Sequence, residues 1–450
     1  MTDDEALIFI ESILERDYLN QTQEAIFREA WHGKSYMEIA KSTGYDYGYV
    51  KDEGAKLWRR ISDALERKIT KANVRNVLKK YNKSTNAQNT KIVSSFVDSS
   101  NQSENKKHSW EEIIDIHHFC GRTQETKTLE QWIFQENCRL ISLAGIGGIG
   151  KTALSAQLLR HRHHAFDYTI WRTLRNTPPL SELLPELILF LSEQQEPLSD
   201  NIHSQIGQLM QYLHQHRCLL VLDNLESILL GSGKAGEFQE DYKDYQYLIE
   251  RIADESHQSC LLFTSREKPI GLSQREGHSF PVRTLQLGGM SQAESQQIIH
   301  KKGLYLNEDD CTQLVQSYCG NPLALKIATA AIKDIFNSDV NDFFEYGTLI
   351  FGELWNVFQQ QFDRLSVLEK VVMYWLVTNK EWLRLSELRK DVVPVVSRRA
   401  LLEAVESLKA RSLIESGTVG MTQQPIIMQY MTERLVKVSD EELDQQKFFE

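Results

Sequence analysis

The segment at residues 140–159, LISLAGIGGIGKTALSAQLL, constrains the fold of this chain more than any other stretch. Its first residues are apolar and partly branched, which predicts a buried strand. Residues 145–152 then match G-x-x-x-x-G-K-T, the pattern of a phosphate-binding P-loop. The amphipathic residues that follow predict a helix. A strand, this loop and a helix in direct succession predict a nucleotide site.

Each residue type in this loop has a physical role in holding phosphate. Glycine permits positive φ and lets backbone N–H groups approach an anion closely. The helix that follows directs its partial positive end at the phosphates. Lys151 adds a full charge near the β- and γ-phosphates, and the Thr152 hydroxyl is placed to ligate Mg²⁺. The predicted nucleotide-binding residues of the loop are Gly145, Gly147, Gly148, Ile149, Gly150, Lys151, Thr152 and Ala153.

Length, charge and cysteine usage exclude several classes of protein. A chain of 450 residues is too long for one ordinary core, so several domains are expected. The net charge of −11 disfavours indiscriminate nucleic-acid binding by the whole chain. The sequence has no apolar run of about 18 residues, and its acidic N-terminus lacks the features of a signal peptide. Six scattered cysteines fit reduced thiols. We therefore expect a cytoplasmic protein that does not contact membranes.

The distribution of apolar residues and turns divides the chain into successive segments. The predicted fold is multidomain: a P-loop α/β domain with a doubly wound parallel sheet, preceded by an all-α helix-turn-helix domain and followed by helical and winged-helix domains. The predicted boundaries are 1–82 for the helix-turn-helix domain, 83–109 for a flexible linker, 110–284 for the nucleotide-binding domain, 285–348 for the helical domain, 349–437 for the winged-helix domain and 438–450 for a tail.

The N-terminal segment leaves two kinds of partner open. Residues 51–83 hold eleven Lys or Arg and four Asp or Glu, which suits a surface that faces phosphate. The expected recognition helix, however, carries Asp46, Asp52 and Glu53, which repel phosphate. Contact with a protein is therefore favoured, and DNA binding stays as the alternative.

Two further apolar strands are expected to bring polar side chains to the P-loop. The run 218–222 ends in Asp223, 72 residues after Lys151, which is typical of a Walker B strand. The run 260–264 ends in Ser265 and Arg266. Because the carboxyl ends of parallel strands share one edge of a sheet, Lys151, Asp223 and Arg266 should meet there. Asp223 and Thr152 are the predicted Mg²⁺ ligands.

Several motifs in order resemble the NB-ARC pattern of the STAND class of signal-transduction ATPases. They are Gly121-Arg122 with Glu125, the P-loop, Asp223, Thr264-Ser265-Arg266 and Gly320-Asn321-Pro322. The resemblance covers about residues 110–440, and the N-terminal segment is similar to the helix-turn-helix domain of cyanobacterial multidomain members. It implies a switch that closes around ADP, opens and oligomerises on exchange for ATP, and hydrolyses ATP weakly. By this resemblance Arg122 and Pro322 border the nucleotide, and Arg266 senses the γ-phosphate.

The chain departs from that family pattern at two positions. The acid that usually follows the Walker B aspartate is Asn224 here, which cannot accept a proton. Glu226 is the nearest candidate base, and slow hydrolysis is expected, with Lys151 and Asp223 as the other catalytic residues. The histidine that contacts the ADP β-phosphate in many relatives aligns with Gln424, a predicted nucleotide-binding residue whose amide can still donate to phosphate but carries no charge.

Other functions and a larger architecture stay open from sequence alone. One alternative is a STAND-type transcription regulator that binds DNA through residues 1–82. An ordinary P-loop ATPase is a second alternative, which the missing acid and the winged-helix segment disfavour. Many relatives continue into a repeat sensor, and no such repeat occurs here, so the chain is expected to be a short member or a fragment. An unidentified protein partner is expected at residues 1–82 or at the C-terminus.

Overall fold

The computed structural model divides into two compact units, Met1–Ser103 and Glu104–Glu450. It describes residues 21–31, 34–43, 46–64, 70–71, 74, 107–111, 113–116, 119–194, 197–231, 233–379, 382–391 and 396–447. The predicted linker lies outside the described residues as far as residue 106. Within these ranges, no helix has both the length and the apolar composition needed to cross a bilayer.

The N-terminal unit has a helix-turn-helix layout. Reciprocal hydrogen bonds between Ser35 and Glu38 cap the middle helix, and Phe27, Ile39 and Leu57 are buried in a shared core. This order of two shorter helices and a longer one agrees with the prediction. The described helices of this unit are α1 (Gln21–Trp31), α2 (Tyr36–Thr43) and α3 (Tyr47–Ala64).

The start of α3 presents aromatic and acidic side chains to solvent. Tyr47 and Tyr49 are each 47% exposed, and Asp52 is also exposed. Glu53 is buried instead, and its carboxylate accepts a hydrogen bond from Gln23 Nε2 at 3.0 Å. The prediction that Glu53 repels phosphate at the surface is therefore wrong, because this carboxylate faces the core of the unit.

The second unit is built on a parallel six-stranded sheet, which confirms the predicted α/β class. The strand order is β1-β3-β4-β5-β2-β6, and every neighbouring pair is parallel. The P-loop follows β2, which lies between β5 and β6. The strands are β1 (Lys107–Trp110), β2 (Leu140–Ala144), β3 (Tyr168–Thr173), β4 (Cys218–Asp223), β5 (Cys260–Ser265) and β6 (Val282–Gln286).

Helices cover both faces of this sheet, as a doubly wound fold requires. Alternate residues of β4 enter different cores: Leu220 packs in one cluster and Leu219 in the other. Because successive strand residues point to opposite faces, a strand buried on both sides reads as a continuous apolar run. One face carries α6 (Leu180–Leu191), α7 (Ile202–Gln215) and α8 (Lys243–Asp254), and the other carries α4 (Thr123–Phe134) and α5 (Lys151–Arg162).

Both edge strands of the sheet were absent from the prediction. β1 has the sequence KHSW and begins three residues before the predicted start of the domain at 110. β6 has the sequence VRTLQ and lies across the predicted boundary at 284, where helix was expected from residue 285. An edge strand is buried less completely than a central one, so neither sequence contains the continuous apolar run that marks β2, β4 and β5.

Helices dominate the rest of the second unit. A two-stranded antiparallel hairpin stands between two of them, in the position of a wing. The first group is α9 (Gln292–Lys301), α10 (Glu308–Ser317), α11 (Pro322–Asp334) and α12 (Val340–Tyr346). The second group is α13 (Gly352–Asp363), α14 (Val367–Asn379), α15 (Leu385–Asp391), α16 (Arg398–Ala410), β7 (Ile414–Ser416), β8 (Met421–Gln423) and α17 (Pro425–Lys447).

Two predicted boundaries in this part need correction. The apolar pattern of the sequence predicts one helix over 354–377, but the helix is broken between α13 and α14, because Ser366 and Glu369 exchange hydrogen bonds as the capping box of a new helix. The sequence over 414–427 predicts the two strands of a wing, whereas the hairpin ends at Gln423, since α17 begins at Pro425. That helix continues to Lys447 across most of the predicted tail.

A buried cluster of charged side chains joins the sheet domain to the C-terminal helices. Glu267, which follows β5, accepts hydrogen bonds from Arg364 Nε at 2.7 Å and from Arg411 Nη1 at 2.6 Å. Arg411 also lies 3.3 Å from Glu369, and Glu267, Glu369 and Arg411 are at most 3% exposed. We call these four residues the Glu267 cluster. Its two cations and two anions balance, so the buried charges compensate one another.

We expect Arg411→Met to destabilise the second unit. The variant leaves Glu267 and Glu369 as buried anions with one fewer cation, and breaking a buried pair costs about 3–5 kcal/mol. Chemical denaturation of the full chain, followed by tryptophan fluorescence, measures the effect. The matched control is Arg399→Met in α16, the helix that ends directly before Arg411, since Arg399 is 88% exposed and should matter little. Equal stability of the two variants would contradict the role of the cluster.

Candidate functional site

The P-loop joins β2 to α5 in a conformation that glycine permits. Gly145, Gly148 and Gly150 have φ values of 155°, 75° and 101°. The left-handed Gly150 directly precedes α5, so the loop ends at the N-terminus of that helix. Glycines at positive φ before a helix N-terminus are typical of a loop that binds an anion through its backbone N–H groups.

Lys151 is buried beneath this loop. Its Nζ donates to the Gly145 carbonyl at 2.8 Å and to the Ile146 carbonyl at 3.1 Å. Burial lowers the pKa of the ammonium to about 8, against the opposing influence of Glu226 and Asp223. The lysine thus holds two peptide units of the loop in a fixed orientation.

Asp223 lies at the end of β4, beside the start of α5. Its Oδ1 accepts from Thr152 Oγ1 at 2.8 Å and from Thr264 Oγ1 at 2.7 Å. Burial raises the pKa of the carboxyl, while both hydroxyl donors lower it. Thr152 and Asp223 form a pair of hard oxygen donors at the edge of the P-loop. This donor set fits Mg²⁺, which takes few protein ligands and completes its octahedron with phosphate and water.

The residues after β4 and β5 form a second polar group. Asn224 has φ of 66°, and its backbone N–H donates to Thr264 Oγ1 at 2.9 Å. Glu226 is buried, and its carboxylate lies 3.1 Å from Arg266 Nε. The Arg266 backbone N–H also donates to Glu226 Oε2 at 3.3 Å. The predicted base Glu226 is thus held by the arginine that is expected to sense phosphate.

Arg122 ties the P-loop to the segment that leads into the helical group. Its guanidinium donates to the Ile149 carbonyl at 2.9 Å and to the Gly288 carbonyl at 2.8 Å, and it pairs with Glu125. Its backbone N–H donates to Glu294 Oε1 at 2.6 Å. With these contacts and 3% exposure, the side chain acts as a positioning group for the loop.

A mostly apolar cleft of about 150 Å³ opens beside the loop. Gly150 and Ala153 of the P-loop segment line it together with Arg122 and Pro322. Its size and apolar lining suit a flat ring whose attached phosphates reach the loop. The remaining lining residues are Ile114, Asp115, Ile116, Phe119, Cys120, Met290, Ile298 and Lys326.

Segments from the C-terminal part also bond to the backbone of the loop. Asn321 Nδ2 donates to the Gly147 carbonyl at 3.1 Å, and the Leu323 N–H donates to the Gly148 carbonyl at 3.3 Å. From α13, Gln361 Oε1 accepts from the Gly147 N–H at 3.1 Å. We call α13 the lid helix. Sequence reasoning missed Gln361, because it stands in a polar run, QQQ, that matches no motif.

The contact of Gln424 with the β-phosphate of ADP stays a prediction. Its backbone carbonyl accepts from the Met428 N–H at 2.8 Å at the start of α17. Across the described residues, no hydrogen bond joins the Gln424 side chain to the P-loop. The predicted P-loop residues, Asp223, Glu226 and Arg266 do come together at one edge of the sheet, and Arg122, Ala153 and Pro322 border the adjoining cleft.

Two family models match the chain. Residues 122–235 match the NB-ARC domain, and residues 1–81 match the N-terminal helix-turn-helix domain of vWA-MoxR associated proteins. These matches confirm the resemblance drawn from the motifs, including the helix-turn-helix segment.

Similar proteins are found by sequence and by structure. An uncharacterized WD repeat-containing protein of Nostoc sp. is 44% identical over 347 residues, which are 74% of this chain and 28% of that protein. The chain thus spans little more than a quarter of that relative. A Walker-type ATPase of Pyrococcus abyssi is 16% identical with a TM-score of 0.47, covering 70% of this chain and 96% of its own. A STAND protein with a tetratricopeptide repeat sensor from Pyrococcus horikoshii is 16% identical with a TM-score of 0.38, covering 72% of this chain and 44% of its own.

We expect Thr264→Val to loosen the Walker B end of the site. The variant keeps the shape of the side chain but removes a donor to Asp223 and the acceptor for the Asn224 N–H. Leaving such a buried group unsatisfied costs about 1–3 kcal/mol, so the thermal midpoint should fall. Thr264→Ser keeps the hydroxyl and serves as the control. A Thr264→Val midpoint that falls no further than that of Thr264→Ser would contradict this role of the hydroxyl.

Proposed function

We propose that the chain is a nucleotide-dependent signalling switch with weak ATPase activity, because an NB-ARC domain follows a helix-turn-helix domain in its sequence. It closes around ADP, opens on exchange for ATP and then associates with further copies of itself. The observation that carries this proposal is the convergence of Lys151, Asp223 and Arg266 on a P-loop that lies beneath a lid helix.

The nucleotide is proposed to lie across the P-loop with its base in the adjoining cleft. Backbone N–H groups from Gly148 to Ala153 cradle the phosphates, and the α5 N-terminus and Lys151 supply positive charge. The base enters between Ala153 and Pro322, while Arg122 holds the loop in place from outside. The cofactors of this proposal are ATP or ADP with Mg²⁺.

Thr152 and Asp223 would hold the Mg²⁺ ion. The ion neutralises charge on the β- and γ-phosphates when it is bound. Thr264 fixes the Asp223 carboxylate through its hydroxyl, so the two magnesium ligands are held at hydrogen-bond distance, 2.8 Å. Preorganisation of this kind avoids reorganisation when the charged ligand enters.

Hydrolysis is proposed to be slow for two reasons. Asn224 stands where relatives have an acid, and a carboxamide cannot accept a proton. Glu226 has a carboxylate, but it is paired with Arg266 at 3.1 Å. The Glu226 carboxylate is released to act on water only when Arg266 pairs with a γ-phosphate instead.

Opening of the switch would separate the lid helix from the P-loop and break the Glu267 cluster. Both sets of contacts join the sheet domain to the C-terminal helices, so they favour the closed form together. Exposure of these surfaces supplies the face through which copies associate. An unidentified protein partner is proposed at residues 1–82 or at the C-terminus. The exposed Tyr47, Tyr49 and Asp52 favour protein over DNA at α3.

Lys151→Ala should remove most binding of ADP and ATP. A charge-assisted contact is worth about 1.5–3 kcal/mol, which corresponds to roughly tenfold to hundredfold in affinity. Calorimetric titration of the full chain measures this loss, and Lys234→Ala, at an exposed loop position, is the control. Unchanged affinity in the Lys151 variant would refute the site, and so would a purified wild-type protein that neither carries nor binds a nucleotide.

Turnover by the wild type should be far below the enzyme median of about 10 per second. Asn224→Asp should raise it by restoring a carboxylate, and Glu226→Gln should lower the residual rate. Phosphate release is measured with Lys151→Ala, prepared in parallel, as the baseline for contaminating ATPases. Rapid wild-type turnover above that baseline would contradict the proposal, and an unaffected Glu226→Gln rate would remove Glu226 from it.

A further inference from the structure

We infer that Gln361 of the lid helix occupies the γ-phosphate subsite of the P-loop, and that it makes the closed form selective for ADP over ATP. This inference rests on the proposed function, since it assumes that the P-loop binds these nucleotides. It names the residue that couples the third phosphate to movement of the lid helix.

Gln361 reaches the loop at a place where the backbone has no room for a side chain. It is 5% exposed, and its Oε1 accepts from the Gly147 N–H at 3.1 Å. A Cβ added to Gly147 would lie 2.4 Å from Val357 Cγ1 and 3.6 Å from Arg266 Cζ. Two side chains of the lid helix and the guanidinium of Arg266 therefore meet at this one residue of the P-loop.

The orientation of the peptide unit between Ile146 and Gly147 identifies the position of Gln361 as the end of the site that would hold the γ-phosphate. The Ile146 carbonyl accepts from Lys151 Nζ, and the N–H of the same peptide, at Gly147, donates to Gln361. The lysine of a P-loop reaches the β- and γ-phosphates, whereas the N–H groups of the loop cradle the α- and β-phosphates. Gly147 lies at the end of the loop away from α5, and so beyond the N–H groups that take the first two phosphates.

A γ-phosphate and Gln361 compete for the same donor and the same space. A carboxamide oxygen and a phosphate oxygen are both acceptors, and a backbone N–H offers one hydrogen. ADP leaves this N–H to Gln361, so the lid helix stays in place. The γ-phosphate of ATP is a charged acceptor, and it displaces the neutral carboxamide of Gln361. Val357 has to move together with Gln361, because both residues belong to the lid helix.

The test compares affinities of the full chain for ADP and for a non-hydrolysable ATP analogue, each with Mg²⁺. We expect Gln361→Ala to raise affinity for the ATP analogue relative to ADP by about threefold to tenfold, since one neutral hydrogen bond no longer opposes the γ-phosphate. Gln361→Glu keeps the acceptor and adds negative charge, so it should shift the ratio the opposite way. Gln360→Ala, at an exposed neighbouring position, should leave the ratio unchanged.

The outcomes separate this inference from the proposed function. If wild type binds both nucleotides but neither Gln361 variant shifts their ratio by more than about twofold, the inference is overturned and the proposed function stands. If wild type binds neither nucleotide, the proposed function fails and the inference fails with it. A Gln361→Ala protein that does not fold leaves the Gln361→Glu ratio to decide, because that variant preserves the hydrogen bond to Gly147.

Discussion

The buried ammonium of Lys151 is the constraint on which the rest of the site depends. A charge removed from water needs compensating acceptors, and here two carbonyls of its own loop supply them at 2.8 and 3.1 Å. In a trans peptide the carbonyl and the N–H point in opposite directions. Peptide units that turn a carbonyl toward the lysine must therefore turn an N–H away from it. One buried cation thus orients the donors of the loop before any anion arrives.

The parallel sheet brings the other charged groups to this loop without long connections. β2 pairs with β5, and β5 pairs with β4, so the P-loop, Arg266 and Asp223 leave neighbouring strands at one edge. The C-terminal helices then approach from outside and bond to the loop backbone through Asn321 and Gln361. One half of the site is thus formed by loops of the sheet domain, and the other half is formed by the C-terminal helices.

This division also explains what the sequence could predict. The P-loop, Asp223 and Arg266 follow central strands, whose continuous apolar runs are easy to recognise. The edge strands β1 and β6 lack such runs, and Ser366 interrupts a helix with a capping box that an overall apolar pattern conceals. Gln361 reaches the P-loop across 214 residues, and Arg364 and Arg411 reach Glu267 across 97 and 144 residues of chain. Local periodicity contains no information about such pairs.

The adjacency of Arg266 and Glu267 affects how fast the protein can respond. Arg266 contacts Glu226 near the P-loop, while the next residue is buried against Arg364 and Arg411. In a half-opened arrangement, charged side chains of the Glu267 cluster would have lost their partners but would not yet be hydrated. The free energy of that arrangement is higher than that of either end state. In the proposed switch, the closed and open forms would then be separated by a barrier, with few stable intermediates between them. A switch of this kind would retain its last state for some time after the nucleotide supply changes, and would therefore act as a short-term memory.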